Sequence, residues 1–109
     1  MTVKDLSNKN GFTEIILSEP EREIKGCYIG DLLSWVMGRA KSGDAWITIM
    51  SNVNVLAVAT LADVSCVIIA EGVKLDDEVL SIAKARGVNL ISTELAMFEA
   101  SLKLSEALG

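Results

Sequence analysis

Apolar and polar positions change their period several times along the chain, and each change predicts an element. After a short helical turn, Thr13 to Leu17 reads as a strand. The charged run Ser18-Glu19-Pro20-Glu21-Arg22-Glu23 contains the only proline and reads as a loop. Gly26-Cys27-Tyr28-Ile29-Gly30-Asp31 opens the next segment. There Ile29, Leu32, Leu33, Val36, Met37 and Ala40 fall on one face of a helix, which Gly43 and Asp44 end. Ala45 to Met50 is a β-type run, with Ile47 and Ile49 on one side and Trp46, Thr48 and Met50 on the other.

Val53 to Val64 carries two signals. Its β-branched residues suit the return strand of a hairpin through Ser51-Asn52. Ala57, Ala59, Leu61 and Ala62 suit a helix capped by Asn52 or Asn54, which is the favoured reading. Such a helix is apolar nearly all round and must be buried on more than one side. Val64 to Ala70 is continuously apolar, as in a central parallel strand covered on both faces. Glu71-Gly72 turns the chain. Asp76, Asp77 and Glu78 lead a helix whose last turn carries Lys84 and Arg86, with Gly87 just beyond, as the helix dipole and the C-cap favour. Val88 to Ile91 reads as a short strand, and Ser92-Thr93-Glu94 as the start of the terminal helix.

Alternation of strand and helix predicts an α/β fold: a small three-layer domain with a mainly parallel sheet flanked by helices. At 109 residues the chain fits one domain, with an amino-terminal strand and loop over 1–25. Ligands of such sheets sit outside the carboxyl ends of the strands. That rim predicts Ser51, Asn52 and Asn54, then Glu71, then Ser92 and Thr93 as candidate ligand contacts.

Composition narrows the partners. Half of the residues are hydrophobic (50%) and 23% are charged, which excludes disorder and leaves apolar surface for a partner. Ten bases against 15 acids give a net charge of −5, and the bases form no stripe. Nucleic acid and anionic membrane surfaces are therefore not expected partners. No run approaches the ~20 apolar residues of a membrane span, and Met1 to Leu6 has no apolar signal core. With Cys27 and Cys66 outside any Cys-x-x-Cys pattern, the expectation is a reducing, cytoplasmic protein.

The chain has no histidine, which removes the usual general base, zinc ligand and pH switch. Gly26-x-x-x-Gly30 lacks the Gly-Lys-Ser/Thr of a phosphate loop and is not Gly-x-Gly-x-x-Gly. Cys27, near a helix start, lacks a histidine partner, and Asp76-Asp77-Glu78 is explained by the helix dipole. Asp31, Asp44, Asp63 and Glu71 show no metal-ligand spacing. The expectation is no catalytic residue, no metal and no cofactor.

Trp35 falls away from the Leu32, Leu33, Val36 face, and an outward Trp is common at interface centres. The terminal helix carries two apolar stripes: Leu95, Phe98 and Leu102, and beside them Met97, Leu104 and Leu108. One stripe covers the sheet; the other needs a second cover, either the amino-terminal segment or another subunit. Candidate homodimer contacts are Trp35, Val53, Leu56, Leu61, Met97 and Leu104.

The residues Gly26-Cys-Tyr-Ile-Gly30-Asp31-Leu-Leu-Ser34 and Gly43-Asp44-Ala-Trp-Ile-Thr-Ile-Met50 resemble the DRTGG domain family. The resemblance continues through Leu56-Ala-Val-Ala59, Val67-Ile68-Ile69 and Gly87-Val-Asn-Leu-Ile-Ser-Thr93, covering a core of roughly residues 24 to 105. It implies a small α/β unit associated with homodimerisation, as found within phosphotransacetylases and CBS-containing pyrophosphatases, and similar to the amino-terminal domain of HPr kinase. For a stand-alone member it implies a regulatory or scaffold role without catalysis, linked to anaerobic redox and hydrogenase systems, with a regulatory protein as a further partner. The Asp-Arg-Thr-Gly-Gly string itself is absent, and Ser51-Asn52-Val53-Asn54 stands where embedded members carry an Asp-Arg pair. That loop offers neutral polar recognition. A small-molecule or nucleotide sensor, binding at the rim, is the alternative function.

Overall fold

The structure, a computed structural model, describes residues 1–109. The Thr2 hydroxyl accepts from the Asp5 N–H while the Asp5 carboxylate accepts from the Thr2 N–H, and this capping box starts α1 (Val3–Ser7). Strand β1 (Thr13–Ile16) follows, then the loop and β2 (Gly26–Ile29). This second strand replaces the first turn of the expected helix. Helix α2 spans Leu33–Arg39 only, so Leu33, Val36 and Ala40 pack inward while Ile29, Leu32 and Met37 stay exposed. Strand β3 is Asp44–Thr48, with Ile49 already exposed beyond its end.

Residues Asn54–Ala62 form a helix, α3, as favoured over the hairpin strand. Neither Asn52 nor Asn54 caps it: Val53 holds the N-cap position without a side-chain bond, while the Asn52 side chain accepts from the Asn54 N–H at 2.9 Å in a local turn, and Asp63 closes the helix in the left-handed region at φ 58°. Strand β4 is Cys66–Ile69, buried throughout. Helix α4 (Asp77–Arg86) is capped by the Asp76 carboxylate at its start and by left-handed Gly87 at its end. Strand β5 is Leu90–Ser92, and α5 is Met97–Leu108. Ser92-Thr93-Glu94 therefore does not start the terminal helix. The Thr93 hydroxyl instead donates to the Gly11 carbonyl at 2.6 Å and accepts from the Leu95 N–H, holding an extended exit.

The sheet order is β1-β5-β4-β3-β2, with β1 antiparallel to β5 and the other three pairings parallel. Winding proceeds one strand at a time in one direction from β2 to β5. Helices α2, α3 and α4 consequently pack on one face, around Trp46, Leu56, Val67, Ile69 and Leu90. On the other face α1 and α5 cover Ala45, Ile47, Cys66, Ile68 and Ile91. The three layers and the mainly parallel sheet expected of the sequence are both present. Asn89, buried at a strand's amino end, ties the loop before β2 to the body. Its side chain accepts from the Glu19 N–H and donates to the Glu19 and Ser65 carbonyls.

Burial corrects two candidate interface residues. Leu56 and Leu104 are each 0% exposed and belong to the two halves of the core, so neither reaches a partner. On α5 the inward stripe is Met97, Ala100, Leu104 and Leu108, whereas Phe98 and Leu102 are 69% and 47% exposed. The helix does carry surplus apolar width, but the outward residues are Phe98 and Leu102. Val3 and Leu6 of α1 fill the space beside the inward stripe, so the amino-terminal segment does supply cover there.

Candidate functional site: the carboxyl-end rim

Each parallel strand leaves the sheet at one rim. After β2, Asp31 turns back: one carboxylate oxygen accepts from the Thr48 hydroxyl at 2.7 Å and from the Ile49 N–H at 3.0 Å. That oxygen is committed to joining β2 to β3. The Trp46 indole N–H likewise donates to the Gly30 carbonyl at 2.8 Å. Ser51, Asn52 and Asn54 follow β3 and turn the chain into α3, lining no cavity.

Between β4 and β5 the rim divides. The exit of β4 runs to α4 on one face, and the exit of β5 runs to α5 on the other. Adjacent parallel strands whose connections diverge leave a crevice at their carboxyl ends, where ligands of open α/β sheets bind. Glu71 and Gly72 make the first of these turns with left-handed φ values of 57° and 69°. Two backbone bonds tie the exits together, from the Glu71 N–H to the Leu95 carbonyl and from the Gly72 N–H to the Thr93 carbonyl. Glycine is favoured at Gly72 by its left-handed φ, and the end of the Glu94 side chain lies close over it.

A cleft of about 500 Å³ opens beside these exits, where the start of β1 meets the end of β5. The loop Lys9-Asn10-Gly11 and the start of β1 form one wall, Ser92 to Leu95 another, and Lys74 a third. An adjoining hollow of about 260 Å³ shares Thr13, Lys74 and Ser92, and is floored by Ile15, Val73, Leu75 and Leu80. Of the six expected rim residues, the structure brings Ser92 and Thr93 to this cleft. Thr93 is buried and its hydroxyl is occupied, so it builds the wall, and Glu71 is exposed and does not line the cleft. Lys9, Lys74 and Glu94 were missed. The bases look scattered in sequence, and only the β1–β5 pairing, which sets Thr13 opposite Ser92, brings Lys9 near Lys74.

Neither cysteine is a ready nucleophile. Cys27 lies on β2, not at a helix start; the residue is exposed at the sheet edge, yet partial desolvation of its sulfur and the nearby Asp44 carboxylate push the thiol up to about 11. Burial pushes Cys66 up to about 12. Both are thiols near neutral pH, and the thiolate is the reactive form. At the opposite end of the sheet, Arg22 pairs with Asp63 at 2.9 Å and also donates to the Asp63 carbonyl. The Ser42 hydroxyl and the Arg22 guanidinium hold the Asp63 carboxyl below its usual range. No helix is long and apolar enough to cross a membrane.

The expected interface residues that remain exposed stand mostly on one layer. Trp35 is 54% exposed on α2, next to Leu32 at 59%, and Leu61 is 70% exposed on the adjacent α3, which Val53 precedes. The Arg39 guanidinium lies 3.8 Å over the Trp35 ring, a cation–π contact between successive turns of α2. Met97 is half-buried on the other face of the sheet, so it shares no continuous surface with Trp35.

The fold and this rim define a class: a small, mostly parallel α/β domain with a ligand-sized cleft beside its one topological division. Residues 14–107 match the DRTGG domain, and the chain belongs to the DRTGG domain family. Among solved structures it is similar to the CBS and DRTGG domains of the regulatory region of Clostridium perfringens pyrophosphatase, a structure complexed with the activator diadenosine tetraphosphate. The TM-score is 0.71 at 17% sequence identity, over 93% of this chain and 44% of that one, so this chain spans less than half of that neighbour. A comparison with curated protein sequences returned no match.

Proposed function

We propose that this chain is a non-catalytic regulatory or scaffold domain that acts as a homodimer, in the redox-linked setting that the family resemblance implies. The observation that carries the dimer is Trp35, half exposed beside Leu32 and close to the Leu61 helix. Large aromatic and Leu side chains on one surface mark interaction sites, and Trp and Arg are enriched where interfaces are tightest. Arg39 over the Trp35 ring supplies both residue types at one spot. Phe98 and Leu102 form a narrower stripe on the opposite layer, without either. A two-fold dimer uses one self-complementary patch, and the α2–α3 layer is the richer of the two. Sedimentation equilibrium on Trp35→Ala and Phe98→Ser tests this. Trp35→Ala weakens association at least tenfold with an unchanged circular dichroism spectrum, and Phe98→Ser leaves association as it was. Equal association in both variants and the wild type overturns the assignment.

A second reading, sensing of a small molecule at the rim, is favoured by the cleft beside the β4 and β5 exits. The two readings are compatible, since the cleft and the α2–α3 surface occupy different parts of the molecule.

A further inference from the structure

We infer that the β4–β5 cleft binds a phosphorylated small molecule carrying a planar or apolar group, such as a nucleoside monophosphate. The inference rests on the sensing reading and is independent of the dimer. The cleft's volume of about 500 Å³ falls within the roughly 300–1,000 Å³ of small-molecule sites. It lies at the carboxyl end of β5, between the antiparallel start of β1 and the connection that carries Lys74, beside the point where the β4 and β5 connections diverge.

Charge then selects the ligand's head. The protein as a whole carries −5, yet Lys9 and Lys74 both border this cleft, and neither makes an ion pair. Lys103 stands beyond Lys9, on a neighbouring hollow where Glu106 offsets its charge. A phosphate monoester, close to a dianion at neutral pH, matches two ammonium groups. Glu94 opposes an anion on its own side, where its carboxylate leans over Gly72, and accepts from a hydroxyl or amine of the ligand. Ser92 offers a further hydroxyl. The tail is selected by the adjoining hollow, whose floor of Ile15, Val73, Leu75 and Leu80 excludes a second charged group and accepts a flat or aliphatic one. Polar mouth and apolar annex meet at Thr13, Lys74 and Ser92, so one molecule spans both.

Amide-resolved NMR titration of the 109-residue chain with four probes decides the matter: AMP, phenyl phosphate, adenosine and inorganic phosphate. AMP is expected to shift the resonances of Lys9–Thr13, Lys74 and Ser92–Leu95, and to bind at least tenfold more tightly than adenosine or phosphate. Phenyl phosphate, which lacks groups for Glu94, falls between. Lys9→Glu and Lys74→Glu, both at exposed positions, each weaken AMP at least tenfold. Ser51→Ala, on the rim but outside the cleft, does not. Adenosine binding as well as AMP overturns the phosphate class while leaving sensing intact, and so does AMP binding that ignores both lysine variants. Silence of the cleft toward all four probes overturns the class as well. A thermal-shift panel of sugars, amino acids and acyl phosphates, run alongside, then judges sensing separately: no stabilisation by any member removes that reading too.

Discussion

Cys27 illustrates how one residue's chemistry depends on the element that holds it. At a helix start, backbone dipoles would lower its thiol pKa. On β2 it meets instead the sheet on one side and the Asp44 carboxylate, and its thiol rises to about 11. Alkylation of Cys27 by iodoacetamide in a Cys66→Val background is therefore expected to accelerate about tenfold per pH unit up to about pH 11. A plateau near pH 8 would contradict that environment. The same shift has a sign for stability. A thiol whose folded pKa is raised binds its proton more tightly in the fold, so stability falls as pH rises above the ordinary value of 9. Cys66 was legible from sequence, because a cysteine inside a continuous apolar run has only the core to occupy. Cys27 was not, because four residues of β2 adjoin a helix and Ile29 happens to fit its period.

At the scale of elements, periodicity located most segments but not always their faces. Helix α4 was legible in full, since Asp76, the terminal bases and Gly87 each have a cap or dipole reason to stand where they do. Helix α3 is apolar nearly all round, and sequence alone could not separate Leu56, wholly buried, from Leu61, 70% exposed. The separation follows from packing between α2, α4 and the sheet. Leu56→Ala is expected to lower unfolding free energy by about 2–5 kcal/mol, as core truncations do. Leu61→Ala is expected to change it by less than about 0.5 kcal/mol, as surface changes do. Urea denaturation reads both, and comparable losses would place Leu61 in the core. Helix α5 teaches the same lesson: its two stripes were visible, but Ala100, too small to stand out, marks the inward one.

For the whole molecule, α/β alternation made the layers and the parallel sheet readable, and the rim rule put Ser92 and Thr93 near the cleft. What stayed hidden was the antiparallel addition of β1 beside β5, a pairing between residues some 80 positions apart that no local pattern announces. That pairing creates the cleft and supplies Lys9, while the division of connections around β4 and β5 supplies its opening. It also leaves the α2–α3 layer as a separate surface, with Trp35, Leu32 and Leu61 unburied in a single chain. A stable dimer hides roughly 800 Å² per partner around such a centre. Light scattering across protein concentrations from low micromolar to near millimolar tests this most directly. The expected mass is that of two 11.7 kDa chains over the upper part of that range, with dissociation only on dilution. A single-chain mass at every concentration would contradict it.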